Sequence, residues 1–348
     1  MPRMVSFTSA RVAEVVDEDS RPLEADEVRI GTLYSGISAG TELTAYRGTN
    51  AYMTKKWDEE LRLFVDGSTS FEYPVDGWGY EEVGEVTEVG SEVTSVSVGD
   101  VIWGTWGHRT ETVQKADRAA KRILAPGTDA RVGIFSQIGA IALNVVLDAD
   151  IHVGETVVVF GLGVPGQLVA QLARLNGARV IGVDGVASRR ELALELGADL
   201  VIDANEGSVA EQVRALTDGR GADVVLEVTG NYRALNEAIR TVAYNSRVCV
   251  AGFMQGDGIG LRLGDEFHHN RVQLVCAQIS GVNPSIDHRW NEYRLQRTFM
   301  DLAAAGKVRV NELISHEMPL EEGGAAFELL DTATTDVLQV VLDARSAR

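Results

Sequence analysis

Between Glu155 and Ile279 two hydrophobic rhythms alternate along the chain. Continuous β-branched and aromatic runs at Thr156 to Phe160, Ala178 to Val183, Leu200 to Asp203, Asp223 to Val228, Arg247 to Ala251 and Gln273 to Ile279 predict buried strands. Between them, Gln167 to Leu175, Val209 to Leu216 and Ala234 to Val242 return an apolar residue every three or four positions, which predicts amphipathic helices. Strands alternating with helices build right-handed βαβ units, so the pattern predicts a doubly wound parallel sheet over 137–281. Upstream the rhythm changes. Short β-rich segments at Val28 to Ile30, Gly84 to Val89, Val101 to Trp103 and Glu111 to Val113, punctuated by glycines, predict an all-β, partly open barrel. Within that half, Lys55 to Phe64 carries a short helical pattern.

The junction between the first long strand and its helix carries chemistry. Gly161-Leu-Gly163-Val164-Pro165-Gly166 places three glycines where a dinucleotide fingerprint needs them. The first permits a tight turn, the second lets backbone approach a pyrophosphate, and the third lets helix pack on strand. The anion would rest on the helix N-terminus. A glycine loop alone is weak evidence, but the next strand ends in Asp184, close to where a carboxylate grips the adenosine ribose hydroxyls. A carboxylate there repels a 2′-phosphate and favours NAD over NADP, whereas Arg189 nearby is a residue that could receive that phosphate. Ligands of parallel sheets sit at the C-terminal strand ends, which adds Thr229, Gly252, Phe253 and Ser280 to the candidate cofactor-binding residues.

Composition narrows the class. The chain has 348 residues, about two domains' worth, with 45% hydrophobic and 24% charged residues as in soluble globular proteins. No window reads as long enough to span a bilayer, no signal-like apolar run opens the chain, and there are two cysteines, so a cytoplasmic enzyme is expected. A formal net charge of -19 repels phosphate backbones and anionic bilayers, so neither nucleic acid nor membrane is an expected partner. Both Cys249 and Cys276 fall on predicted strands, where buried packing is their ordinary role.

A fingerprint near residue 160 implies a substantial preceding domain. With Ser38-Ala-Gly40-Thr41-Glu42, Gly79-Tyr80-Glu81-Glu82-Val-Gly84, Val98-Gly99-Asp100-Val101 and the tail from Met318 to Leu330, the chain resembles the medium-chain dehydrogenase/reductase superfamily over nearly its full length. Among its branches it is most similar to the group around the bacteriochlorophyllide dehydrogenases. The resemblance implies a GroES-like, β-rich catalytic domain (1–136 and 282–348) interrupted by a Rossmann NAD-binding domain (137–281), with the active site in the cleft between them. It also implies a homodimer or homotetramer, paired through sheet edges such as Gln273 to Ile279.

Zinc-dependent members of that superfamily hold the metal at positions that here read Ala39, Tyr80 and Gln137. Alanine has no donor, tyrosine is an uncommon ligand and an amide oxygen binds zinc poorly, so no metal is expected. Without a Lewis acid, hydride transfer at a carbonyl needs a hydrogen-bond donor or general acid for the developing alkoxide. Tyr80 is the first candidate, as a donor or, with a lowered pKa, a base; a tyrosine that merely fills the vacated space is the alternative. Thr41 matches the family's proton-relaying hydroxyl, or simply forms a turn. Glu81 matches an acidic residue beside the metal and could orient Tyr80 or a water, or else be solvated. His108, in an aromatic loop, has an imidazole suited to accept an alcohol proton, or is structural. The pair His268 and His269 lacks a third ligand and reads as a surface loop.

Tyr52, Trp57, Phe64, Phe71, Tyr73 and Trp78, with Trp103 and Trp106, could wall a pocket for a ring-shaped or polyhydroxylated small-molecule substrate, or form a local core. The expected activity is zinc-independent, NAD(H)-dependent interconversion of a secondary alcohol and a ketone. The alternatives are reduction of an enone or quinone C=C bond with NAD(P)H, and a nucleotide-binding relative without turnover.

Overall fold

The computed structural model describes residues 1–333 and 336–347. It opens with β1 (Arg3–Ser9), β2 (Val12–Asp17), β3 (Glu27–Ile37), α1 (Glu42–Arg47), β4 (Lys56–Asp58), β5 (Leu63–Val65), β6 (Val75–Asp76), β7 (Glu82–Val89), β8 (Val101–Gly104), β9 (Glu111–Lys115) and α2 (Ala116–Ala120). Helix α3 (Ser136–Asp148) precedes β10 (Thr156–Phe160), α4 (Val164–Leu175), β11 (Arg179–Asp184), α5 (Ala187–Glu195), β12 (Leu200–Asp203), α6 (Val209–Leu216), β13 (Ala222–Glu227), α7 (Tyr232–Thr241), β14 (Val242–Val250), β15 (Gln273–Cys276) and α8 (Glu292–Ala304). The chain closes with β16 (Ile314–Pro319), α9 (Gly323–Thr332) and β17 (Gln339–Asp343).

These elements form two compact units, Met1–Gln137 with Val310–Arg348, and Ile138–Arg309. In the second unit the parallel sheet runs β12-β11-β10-β13-β14-β15, the order of a doubly wound nucleotide-binding fold. Every residue of β10 is buried, which is why its sequence is a continuous apolar run rather than an alternation. Between β10 and β13 the winding reverses, and the loops following those two strands carry Gly161 to Gly166 and Val228 to Gly230. The expected return to the first unit at 282 comes instead at Val310. Helix α8 stays with the second unit because the Phe299 ring covers Gly139, where an added Cβ would stand 2.1 Å from the ring. The Gln171 amide also holds both backbone groups of Arg309.

In the first unit β3 is the spine, paired with β7, β9 and β17. It is almost wholly buried for that reason. The order β16-β17-β3-β7-β8, with β2-β1-β6 as a second sheet, is the β-rich unit the sequence implied, and β17 brings the C-terminal segment back to β3.

Several expectations change. Lys55 to Phe64 is not helical: one turn at Ala51–Met53 is followed by the β4–β5 hairpin, in which Trp57 faces Phe64 with ring centroids 5.0 Å apart. Cross-strand aromatic pairing and Asp58, which accepts the Leu61 N–H, outweigh the weak helical spacing. The insertion aromatics pack on one another, Tyr52 on Phe71 and Phe71 on Trp78, as a local core. Trp103 and Trp106 do not wall a pocket; they are 2% and 9% exposed, and the Trp106 indole N–H donates to Thr32. The strand expected to reach Ile279 ends at Cys276, whose thiol side is exposed, while Cys249 is buried. The stretch Ala130–Asp148 is long and apolar enough to cross a membrane, contrary to the sequence reading, but 78% of its apolar window is buried inside the protein, as in a core helix.

Candidate functional site

The second unit supplies a cradle. Gly161 has φ +91°, in the left-handed region, and a Cβ there would press on Thr229 at 2.8 Å. At Gly166 a Cβ would stand 1.8 Å from the Gly161 carbonyl oxygen, so only glycine lets α4 start this close to the loop. At Gly163 a Cβ would meet no protein atom within 4 Å: the space beside it is open. Gly163 caps α4 without a side chain and Pro165 lies in the first turn after Val164, leaving first-turn N–H groups for an anion. Asp184 ends β11 and its carboxylate accepts the N–H groups of Leu162 and Val186, each at 2.8 Å, tying the ribose-side carboxylate to the loop. Opposite, Thr229 donates its N–H (2.7 Å) and its hydroxyl to Glu227, a buried carboxyl that burial pushes up and that sequence reasoning missed. Gly252 and Phe253 pack against Gly230, with a Gly252 Cβ 2.2 Å from the Gly230 nitrogen. Ser280 lies in an exposed turn, its N–H on the Gln278 side chain. Arg189 presents its carbonyl to the Gln167 amide, and its neighbour Arg190 pairs with Asp203 at 2.6 Å. The open space at Gly163, the first turn of α4 and the Asp184 carboxylate fit the pyrophosphate and ribose of a nicotinamide dinucleotide.

The first unit supplies a different site. Ser38 to Thr41 lead from β3 into α1, and Tyr80 stands at the threshold of β7. The Tyr80 hydroxyl meets the Ser38 hydroxyl in a short hydrogen bond and donates to Thr41 Oγ1 at 3.3 Å. Burial, then the nearby Glu81 carboxyl, pushes the phenol upward, so Tyr80 is a donor here and not the low-pKa base the sequence left open.

Behind these hydroxyls lies a fully buried set that no sequence signal joined: Glu42, Glu81, Glu82, His108 and Ser35, each 0% exposed. His108 Nε2 is 2.6 Å from Glu42 Oε2 and Nδ1 is 2.7 Å from Ser35 Oγ. Glu42 Oε1 accepts the Ser38 N–H at 3.1 Å. Ser35 donates to Glu82 Oε1 at 3.2 Å, and Glu82 also accepts the N–H groups of Glu81 (3.1 Å) and Trp106 (2.6 Å). The bonds thus close a ring from Ser38 through Glu42, His108, Ser35 and Glu82 back to the peptide of Tyr80 and Glu81. Gly79, at φ +142°, is what admits the imidazole: a Cβ there would stand 3.0 Å from two ring atoms.

Burial raises the Glu82 carboxyl to about 6, opposed by the charge of His108 and by its backbone donors. Glu81 is driven well above the carboxylate range by burial and by Glu42 and Glu82, with the Gln339 amide opposing. It is buried, not a solvated carboxylate, and its surroundings favour the protonated form. His108 is raised although burial opposes its charge, because Glu42 outweighs that cost. Enclosed, with both nitrogens engaged, His108 cannot touch a substrate itself, which removes it as the direct base; through Glu42 it reaches the Ser38 backbone N–H.

Position 39 is an exposed alanine, Tyr80 is committed to hydroxyls, and Gln137 is an amide buried at the start of α3. Among the described residues no group of three or more His, Cys, Asp and Glu side chains is arranged to hold a metal ion. This donor set does not fit zinc.

A doubly wound unit with a dinucleotide cradle, joined in one chain to a β-rich unit with a buried carboxyl–imidazole cluster, is the build of the medium-chain oxidoreductases. Residues 163–292 match the zinc-binding dehydrogenase family model. The chain is 32% identical over 322 residues to D-guloside 3-dehydrogenase of Escherichia coli (strain K12), covering 90% of this chain and 91% of that protein. It is 27% identical over 306 residues to L-threonine 3-dehydrogenase of Symbiobacterium thermophilum, covering 77% and 82%. In fold it is similar to a zinc-binding dehydrogenase from Sinorhizobium meliloti 1021 bound to NADP, with a TM-score of 0.78, 22% identity and 99% of both chains covered. The chain belongs to the zinc-binding dehydrogenase family of the medium-chain dehydrogenase/reductase superfamily.

Proposed function

We propose that this protein is a zinc-independent, NAD(H)-dependent dehydrogenase that interconverts a secondary hydroxyl and a ketone on a polyhydroxylated ring, glycosides foremost. The observation that carries this is the Tyr80 hydroxyl held by Ser38 and Thr41 where zinc-type relatives place a metal ligand. The sugar assignment is supported by the relative that acts on a D-guloside. NAD is preferred over NADP because Asp184, at the end of β11, presents a carboxylate where a 2′-phosphate would have to lie. The cradle of Gly161 to Gly166 would hold the pyrophosphate and Asp184 the ribose.

A bound nicotinamide supplies the hydride acceptor or donor. The chain's own part is the proton. Because the phenol stays protonated, Tyr80 can donate to a carbonyl oxygen in the reducing direction. In the oxidising direction its oxygen can take the alcohol proton as its own proton passes to Thr41 Oγ1 and the partly exposed Thr41 gives its hydroxyl proton to solvent, a transfer that never leaves a buried phenolate. We also propose that copies pair along β15, an edge strand whose Leu274 and Cys276 are exposed.

The test is NADH formation from a panel of alkyl glycosides, cyclitols and simple secondary alcohols, on protein dialysed against chelator and analysed for metal. Glycoside-dependent turnover without bound zinc is expected. One zinc per chain would overturn the metal-free mechanism, and turnover with enones alone would replace the alcohol chemistry by C=C reduction.

A further inference from the structure

The ring of buried hydrogen bonds fixes where its protons must sit. Glu82 accepts from Trp106 on one oxygen and from Glu81 and Ser35 on the other, the pattern of an ionised carboxylate. Ser35 has one proton, and with that proton on Glu82 its oxygen must receive from His108, so Nδ1 carries hydrogen. At the other end Glu42 accepts the Ser38 N–H on Oε1 and its Oε2 faces Nε2 at 2.6 Å; with Glu42 as the carboxylate, Nε2 carries hydrogen as well. Turning the Ser35 hydroxyl toward Nδ1 would leave its lone pairs against the Glu82 oxygen, a repulsion only a proton on Glu82 could remove.

We propose that His108 is a positioning residue held as a buried imidazolium, which through Glu42 fixes the Ser38 segment and with it the hydroxyls that grip Tyr80. It rests on the reading of Tyr80 as the group that handles the substrate proton. The cation is enclosed by two carboxylates, Glu42 and Glu82, while the Arg109 guanidinium opposes it as a like charge. Its ring is set edge-on to Phe327, with centroids 5.6 Å apart, and lies over Gly79, next in sequence to Tyr80. The direction of its pKa shift agrees: the acid form is favoured despite full burial. Charge-assisted bonds of this kind are shorter and stronger than neutral ones, which suits them to hold a backbone segment in one place. His108 touches neither substrate nor cofactor in this arrangement; Glu42 is the link, and Ser38 is where the effect arrives.

The test uses the full chain with 15N-labelled histidine. Six histidines give the spectrum, and comparison with His108→Gln assigns the one of interest. Two protonated ring nitrogens on His108 at pH 7 are expected, with both ring N–H protons protected from exchange; a single protonated nitrogen would overturn the imidazolium. For positioning, His108→Gln, which keeps a donor for Glu42 but not the charge, should lower kcat by about a hundredfold, the scale of a small misplacement of reacting groups. KM and NADH affinity should change by less than about threefold, a split that a general loss of structure would not give. Unchanged kcat in a folded His108→Gln protein refutes positioning. If that variant does not fold, Ser35→Ala takes its place: it removes the Nδ1 partner and keeps the Glu42 pair, so kcat should still fall and the His108 nitrogens should change. Unchanged kcat in Ser35→Ala would then refute positioning. Tyr80→Phe run alongside separates the two ideas, since full activity in that protein removes the reading of Tyr80 while the nitrogen spectrum still decides the protonation of His108.

Discussion

Two glycines five residues or fewer from Gly161 should separate folding from cofactor binding. Gly163→Ala adds a methyl that meets no protein atom within 4 Å, at φ -68°, which alanine tolerates. Thermal stability should therefore be unchanged or slightly higher. The methyl would occupy the space through which the loop meets a pyrophosphate, and crowding of that kind costs about 1–3 kcal/mol. In affinity for NADH that is roughly a 5- to 150-fold loss. Gly166→Ala is the reverse case: its Cβ would lie 1.8 Å from the Gly161 carbonyl oxygen, a backbone atom that cannot rotate away. Overpacking at the upper end, about 3 kcal/mol, is offset by about 1 kcal/mol of helix propensity, leaving about 2 kcal/mol of destabilisation. At about 2–4 °C per kcal/mol for a unit of this size, the melting temperature should fall by roughly 4–8 °C. Calorimetry and fluorescence titration with NADH measure the two quantities. Wild-type NADH affinity in Gly163→Ala would show that the pyrophosphate does not rest on this loop, and an undiminished melting temperature in Gly166→Ala would refute the packing argument.

Tyr80→Phe keeps the ring and removes the hydroxyl; kcat should fall by about 10²- to 10⁴-fold with NADH affinity unchanged, as measured by steady-state kinetics and titration. Glu82 has a folded pKa of about 6, raised from 4.5, so the folded state holds its proton more tightly. Its contribution is present in full below pH 4.5 and is lost as pH rises through about 6, a fall of about 2 kcal/mol. His108, also raised, contributes stability present below its ordinary value of 6.5 and lost at higher pH. Urea unfolding of Glu82→Gln should lack the first of these slopes; an identical pH dependence to wild type would contradict the assignment. Leu274→Lys places a charge on the exposed edge strand β15 and should shift light-scattering mass from oligomer to monomer without lowering the melting temperature of the second unit.

The sequence by itself located the six strands of the second unit, three of its helices (α4, α6 and α7) and the positions in its turn where only glycine fits. A short continuous apolar run bounded by turn signals suits a strand covered on both faces, as β10 is, and a turn that must approach another backbone excludes a Cβ; both are local constraints written in adjacent residues. It also placed poor zinc ligands at positions 39, 80 and 137, since ligand chemistry is a property of residue type. Where local signals were weak, long-range pairing decided: 55–64 became a hairpin when Trp57 met Phe64, and 282–309 joined the second unit through Phe299 and Arg309. Only the tertiary structure could reveal the ring behind Tyr80. His108 and Glu42 are 66 positions apart, Ser35 and His108 are 73 apart, and nothing in the residues flanking any of them specifies the other. Their protonation depends on being removed from water together, and burial is settled by the packing of β3, β7 and the Gly107-His108 loop, not by any single segment. Glu81 and Glu82 are neighbours in sequence, yet one is pushed well above the carboxylate range and the other only to about 6, because one lies against the Gly36 backbone and the other faces donors.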